Sequence, residues 1–587
     1  MTHRLKSINK NGIAVLLLLA VFTYLFSVYD INFYGPDDAI YFAYISSVAE
    51  DGDLNAADDI GQRYPYYLDS GKIGVSGTYN LPDFHNHGGV VLWVPFYAYA
   101  KFIYRAASKF KVSSLSSEGL SRIIRCALSF STVIFGFCAV ILTYFLCRSF
   151  FNKSNSLFSI AAITLGTPYL YFMLAEPGNA NILASLLSVV SILFCCYLVN
   201  GRKSDWFLYG LFFSICIAVK LDLWFQLIFI GLFFSALILL KQAPPRNILY
   251  FILGILPGAA LIFINNYIKY GTFHIGELGV LNLRESYFFE QLFSSYRGIF
   301  YTSPIIYLCF LGGIFIIADL VKNKINAAGG RFDSKGREVD ADLFFVILIF
   351  YVLIKIFVMS KNYAWGGGTT SGRLLLTEFP VFVLLFSRVL EIKNRRLRYA
   401  IIIAVIPFIA WNLLALSEYM TGVDFKYIVR MPPLNIRIPI IKSAFYALFY
   451  PKELYIKIQS CFSLLIIVLA GIFYLAPILS RDRSLSFTRH KAVMTRLPTP
   501  LIIFTVCLFT GYTAVTSSNI INNSRNLRLL KKDGFFEKTK IIAPYEFEKE
   551  ENIGSMNDMI EYFRLKGDPE RAEGIKRHKE EIYGSPR

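Results

Sequence analysis

The sequence predicts an all-α polytopic membrane protein with about thirteen transmembrane helices, surface helices in its first outer loop and a small helical appendage on the outer C-terminal side. Three observations carry this expectation. Of the 587 residues, 55% are hydrophobic and only 17% charged, at a mean hydropathy of +0.49, which is more oil than a soluble surface and interior can house. Apolar runs close to bilayer length recur along the chain. Aromatic residues make up 16% of it, with 54 Phe and 37 Tyr, as two membrane interfaces require. A disordered chain, a collagen and a secreted disulfide scaffold are excluded by the same composition. The net charge of +18 fits basic loops held on one side of a membrane, so it does not call for a nucleic-acid partner.

Taken in order, the expected spans are 13–29, 123–147, 157–175, 180–199, 206–219, 221–240, 248–268, 300–320, 343–359, 374–390, 399–416, 458–479 and 500–516. The first follows a basic start (Arg4, Lys6, Lys10) and lacks a small-x-small cleavage site before Tyr29, so it reads as an uncleaved span. The stretch Gly88 to Tyr104 is short and interrupted by Pro95, and whether it crosses decides the sidedness of everything after it. If it lies along the surface, basic loops containing Arg148 and Lys153, Arg202 and Lys203, Lys241 and Arg246, and then the 322–337, 393–398 and 481–496 loops, all face inward. The positive-inside rule therefore selects that topology. It leaves 30–121, 268–299, 360–373, 417–457 and the tail outside, and divides the chain into a membrane domain, 1–517, and an outer helical tail, 518–587. In the tail, Asp568 reads as a helix N-cap and Pro569 as the first helical residue. The cysteines fall in or beside apolar stretches, with no CxxC and no Cys/His metal spacing.

The first outer loop opens with YGPDDAIYFAYISSVAEDGDL, which puts Asp37 and Asp38 in the first turn of an apolar, aromatic helix started by Pro36. A lone acid there is an ordinary cap. Two adjacent carboxylates at a membrane exit also repel, and one of them can be tuned to accept a proton. The loop closes with DFHNHGGVVLWVPFYAYAKF, where Asp83, His85 and His87 precede a glycine pair. These histidines suit interfacial hydrogen bonding, phosphate contacts or a share in a divalent metal site equally well.

A first span, an acidic pair opening a surface helix, and a long outer loop ending in a His/Gly/Pro apolar segment together resemble the GT-C glycosyltransferases, in particular the lipid A aminoarabinose transferase and protein O-mannosyltransferase group. The resemblance covers the first 300 residues best and the remainder mainly in topology. It implies a GT-C fold and a bacterial inner-membrane enzyme working on the periplasmic side. It further implies transfer of a sugar from a polyprenyl-phosphate donor to a lipid, glycan or protein acceptor, as in lipid A modification. In such enzymes the first acid of the pair is the base, here Asp37 with Asp38 beside it, and a further acid comes from the second outer loop, here Glu176 in AEPGNA. Where the relatives place a Lys before paired prolines, this chain has His87 and Gly88. Asp37, Asp38, His85, His87 and Glu176 are the residues that could share a divalent ion; the sequence leaves the metal open.

Such a reaction needs cations for the departing phosphate, and the guanidinium fork suits two phosphate oxygens. Arg297 in LFSSYRGIFYTSP and Arg373 in NYAWGGGTTSGRLLLTEFP each lie just outside a span, with Lys220 and Lys269 as weaker alternatives. The glycine run around Gly367 could offer backbone N–H groups to an anion, and Tyr363 and Trp365 could stack on a sugar or line a lipid channel. The competing structural roles are snorkelling arginines, a flexible turn and an aromatic belt. No Walker-type loop is present, so no nucleotide site is expected. Two other functions share parts of this pattern: a glycan ligase using a diphosphate carrier, and a lipid or glycolipid flippase or transporter, which would favour internal repeats and mid-membrane binding groups.

Overall fold

The computed structural model describes residues 20–22, 24–27, 36–52, 87–109, 117–176, 178–198, 202–240, 243–270, 286–294, 298–327, 341–361, 373–420 and 573. All but Glu573 belong to the unit Met1–Ile521; Glu573 is a helical, exposed residue of the unit Asn522–Arg587. Among the described residues the chain is helical, with no strand. The stretches Ile123–Arg148, Asp222–Leu239, Arg246–Ile264 and Arg395–Leu413 are long and apolar enough to cross a membrane, and Ala180–Cys196, Ile305–Asp319 and Leu343–Met359 are shorter apolar helices of the same kind. The spans expected at 458–479 and 500–516, and the helix capped at Asp568, lie outside the described residues.

The first described full helix, α1 (Pro36–Ser46), begins at the proline that the pattern singles out and widens into a π turn, Ser47–Asp51, closed by Gly52 in the left-handed conformation at φ 71°. A 3-10 turn, His87–Gly89, leads into α2 (Val90–Lys109), which continues through Pro95 and buries Val90, Trp93, Tyr97 and Ala100 as a stripe of helical spacing. Its neighbour α3 (Ser117–Arg148) meets it through Phe96 and Phe135, whose rings are 5.8 Å apart. The described residues 20–22 and 24–27 lie against α3, Phe22 meeting Phe137 at 5.4 Å and Phe26 meeting Phe130 at 5.1 Å.

Three stretches expected as continuous spans are broken, and proline accounts for two of the breaks. The run 157–175 divides into α4 (Lys153–Gly166) and α5 (Tyr169–Leu174), because Pro168 has no N–H and pushes the residue before it out of the helical region, Thr167 standing at φ −131°, ψ 166°. After α10 (Phe288–Phe293), the run 300–320 likewise divides at Pro304 into α11 (Ile299–Thr302) and α12 (Ile305–Ala327). The run 374–390 enters as a 3-10 turn, Arg373–Glu378, before α14 (Phe379–Val389). Both proline breaks are tied to α15 (Arg395–Met420) by one side chain. Asn412 donates to the carbonyls of Leu165 and Thr167 at 3.0 and 3.1 Å and accepts from the Ser303 hydroxyl at 3.3 Å, satisfying backbone that the broken helices leave exposed.

Between α6 (Ala180–Leu198) and α9 (Arg246–Tyr270) the chain makes the expected hairpin: α7 (Lys203–Val219), a 3-10 turn Leu221–Phe225, and α8 (Gln226–Leu239). Trp206 meets Phe234 at 4.3 Å and Trp224 donates its indole N–H to the carbonyl of Ile217, so the two arms are antiparallel. The tightest packing is between α7 and α9. A methyl on Gly254 would sit 2.2 Å from the Phe207 carbonyl oxygen, one on Gly210 would sit 2.1 Å from that of Phe251, and one on Gly258 would strike Ser214. Gly254 and Gly258 form a G-x-x-x-G seam that lets two backbones touch, the small-residue packing that apolar helices of this length use. The opposite face of α9 carries exposed Leu249, Ile252 and Leu256. Gly312 plays the same part between α12 and α14, its added methyl falling 2.0 Å from the Leu385 carbonyl oxygen.

The helix ends fall into two sets. At one, Phe150 stacks on Phe344 at the start of α13 (Ala341–Met359), the Cys147 sulfur lies 3.0 Å from the Ser387 hydroxyl, Arg388 bonds Asp319, and Lys203 lies over the Tyr250 ring. This is the basic end, where Arg148, Lys153, Arg202, Arg246 and the 393–398 segment also sit. At the other end the starts of α6, α8, α12 and α14 meet the close of α7 and α13. These are the two sets that the charge pattern of the loops assigns to opposite membrane faces.

Candidate functional site

The second end holds a set of buried polar groups. Gly88 is the reason the His87–Gly89 turn lands where it does: a methyl there would stand 2.5 Å from the Ala218 carbonyl oxygen, so the backbone rests directly on the last turn of α7. Two residues beyond Ala218 the helix stops, and Lys220 leaves it in an extended conformation, φ −155°, ψ 136°. Its ammonium pairs with Asp222 at 2.8 Å and donates to the side-chain carbonyl of Asn181 at the head of α6. Just below, Gln226 donates to Ser188. Lys220 is partly exposed and Asp222 buried, so the pair opens the site on its cationic side.

The acidic pair is placed by helix register. Tyr41 meets Trp93 at 5.3 Å, Ser46 meets the Tyr97 hydroxyl at 3.5 Å, and Lys101 reaches Glu50 at 3.7 Å, with Tyr97 also donating to Glu50. Helices α1 and α2 therefore run parallel, residue 41 beside 93 and 50 beside 101. That register brings the first turn of α1, with Asp37 and Asp38, level with the His87–Gly89 turn. Glu176, the acid implied for the second outer loop, is buried just after α5 and before the residues that lead to Asn181. The turn that starts at Arg373 packs along α6 and touches the Leu221–Phe225 turn, so its backbone belongs to the same end.

Of the other expected residues, Lys269 is in the last turn of α9, and its side chain is outside the description, as are those of Asp37, Asp38, His87 and Arg373. Asp83, His85, Arg297, Tyr363, Trp365 and Gly367 lie outside the described residues. Among the described residues no group of three or more His, Cys, Asp or Glu is arranged to hold a metal, and of the candidate metal set only the Glu176 side chain is described.

The structure adds two groups that sequence reading passes over. Lys355, in the middle of YVLIKIFVMS, and Glu378, at the end of RLLLTE, are both fully buried and pair at 2.7 Å. Tyr351 donates to the same Glu378 oxygen at 2.7 Å and Thr377 at 2.9 Å, while Lys355 also donates to Thr377. A single Lys inside an apolar run was the available signal, since ionisable residues in such runs are costly and need a named partner. The second addition is a groove of about 420 Å³ lined by Phe293, Phe300, Tyr301, Pro304, Tyr307, Pro407, Phe408 and Trp411. It opens at the side of the bundle, beside the break at Pro304. Tyr301 and Trp411 are fastened there by the bond from the Trp411 indole N–H to the Tyr301 carbonyl at 2.6 Å.

Chemically, the described groups at this end of the bundle are a cation anchored by an acid and an amide, Lys220 with Asp222 and Asn181, and the buried acid Glu176. A partly exposed ammonium held in this way can pair with an anion. No protein-family model, curated protein or solved structure matches the chain.

Proposed function

We propose that the protein is an inverting, membrane-embedded glycosyltransferase that takes a sugar from a polyprenyl-phosphate carrier on the outer face and adds it to a hydroxyl of a lipid, glycan or protein. The observation that carries this reading is that, at the end of the bundle opposite its basic loops, the His87–Gly89 turn rests on α7 beside Lys220, the turn begun by Arg373 touches Leu221–Phe225, and the register of α1 on α2 brings the first turn of α1 level with His87–Gly89. These come from four distant parts of the chain. Asp37 takes the proton of the acceptor hydroxyl. The freed oxygen attacks the anomeric carbon from the face opposite the phosphate, and the C–O bond to the carrier phosphate breaks with inversion. The phosphate leaves as an anion held by Arg373 and Lys220, with Arg297 and His87 as further donors. The aromatic, largely apolar lining of the groove suits the carrier chain. With the basic loops facing the cytoplasm, the site opens to the periplasm of a bacterial inner membrane.

The test is direct. Purified full-length protein in lipid nanodiscs is given radiolabelled polyprenyl-phosphate sugars and a lipid extract as acceptor, and the label is expected to leave the carrier. Label that stays on the carrier for every sugar and acceptor rejects the proposal, and consumption of diphosphate-linked glycan instead assigns a ligase.

A transporter reading is favoured by one specific observation, the broken helices at Pro168 and Pro304 together with the buried Lys355–Glu378 pair. That reading requires the labelled lipid to cross vesicles chemically unchanged.

A further inference from the structure

Charge inside an apolar helix is expensive, and even a well-made buried ion pair is seldom a net gain over packed apolar side chains. Lys355 and Glu378, both at 0% exposure, therefore call for a reason other than stability. Their geometry offers one. Tyr351 and Lys355 stand one helical turn apart on a single face of α13 and converge on one oxygen of Glu378, each at 2.7 Å. Thr377, the residue before Glu378, donates to that oxygen as well and receives a bond from Lys355. Three donors, from α13 and from the turn itself, hold that one oxygen, while the other Glu378 oxygen is buried with no hydrogen-bond partner among the described residues. Glu378 closes a 3-10 turn, a form whose backbone hydrogen bonds are poorer than those of an α-helix. At a rise of roughly 2 Å per residue, Arg373 stands about 10 Å further along the same turn.

We propose that the Lys355–Glu378 pair is a positioning device for a phosphate-binding turn: by fixing the depth and rotation of Arg373–Glu378 against α13, it sets where Arg373 meets the phosphate of a polyprenyl-phosphate donor. This inference rests on the donor reading given above. Neither member of the pair reaches substrate; both act through Arg373. Because the turn also leans on α6 and on Leu221–Phe225, any rotation of it changes the gap to Lys220 too.

The experiment compares binding of a polyprenyl phosphate with binding of the matching polyprenol, using the full-length protein in nanodiscs, alongside the unfolding midpoint and hydrogen exchange of the peptide 373–379. Glu378→Gln is expected to weaken polyprenyl phosphate binding about tenfold, leave polyprenol binding unchanged and speed exchange in that peptide. Lys355→Met/Glu378→Leu, which removes both charges at once, is expected to regain the wild-type unfolding midpoint without regaining the preference for phosphate. Recovery of that preference together with stability would show the pair to be scaffold only and overturn the proposal, as would a Glu378→Gln protein that still discriminates like wild type. If the wild-type protein does not itself prefer the phosphate to the polyprenol, the donor reading fails. The exchange measurement then decides the anchoring by itself, unchanged exchange in Glu378→Gln overturning it.

Discussion

The proposed reaction gives Asp37 and Arg373 opposite tasks, and their substitutions should separate in kinetics. Asp37→Asn keeps size and hydrogen bonding but cannot take a proton, so transfer should fall by about 10²–10⁴-fold with the unfolding midpoint unchanged. Full activity in that variant would remove the base assignment. Arg373→Ala should instead raise the KM for the donor with a smaller effect on the acceptor, and equal donor use by both proteins would reject the phosphate role. How far these residues were legible differs. The start of α1 follows from Pro36 and the acids after it, because proline and carboxylates favour a helix's first turn wherever that turn sits. Lys355 was visible as an isolated charge in an apolar run, but its partner was not, since Glu378 lies on another element across the 360–373 loop.

At the scale of helices, the seam between α7 and α9 makes a sharp prediction. Gly210→Ala or Gly254→Ala forces backbone apart from backbone and should destabilise the protein by about 1–3 kcal/mol, read from unfolding in detergent. Gly231→Ala is the control: its added methyl meets nothing within 4 Å, and it should be neutral or raise stability by roughly 0.5–1 kcal/mol through helix propensity. Asn412→Ala should cost about 1–3 kcal/mol, because it strips the donor from one buried and one part-buried carbonyl at the Pro168 break. Hydropathy located α13 and α9 well, since both are long apolar runs. It ran straight through the breaks at 167–168 and 303–304, because a window average does not register one missing N–H. The prolines themselves held that information, yet Pro95, Pro257 and Pro407 stay inside helices, so a proline alone does not say which helix will break.

For the molecule as a whole, the two sets of helix ends lead to a test of sidedness. Lys361→Cys, at the polar end of α13, should react with a membrane-impermeant thiol reagent added from outside intact cells, whereas Lys393→Cys, at the basic end, should react only after permeabilisation. The reverse pattern would place the site on the cytoplasmic side and end the outer-face reading. That the described residues are helical, with stretches apolar enough to cross a bilayer, is determined by the sequence alone, because burial in lipid is a sum over neighbouring residues and every backbone polar group there must be satisfied within its own segment. Which loops share an end could be argued from the spacing of basic residues for the same reason, charge being a local count. Only the tertiary structure decided that Gly88 rests on Ala218, that Lys220 turns to Asp222 and Asn181, and that Lys355 meets Glu378. Those contacts depend on how close two backbones can come and on which rotation of each helix buries its small residues, and neither quantity is written in the order of residues along a single strand of chain.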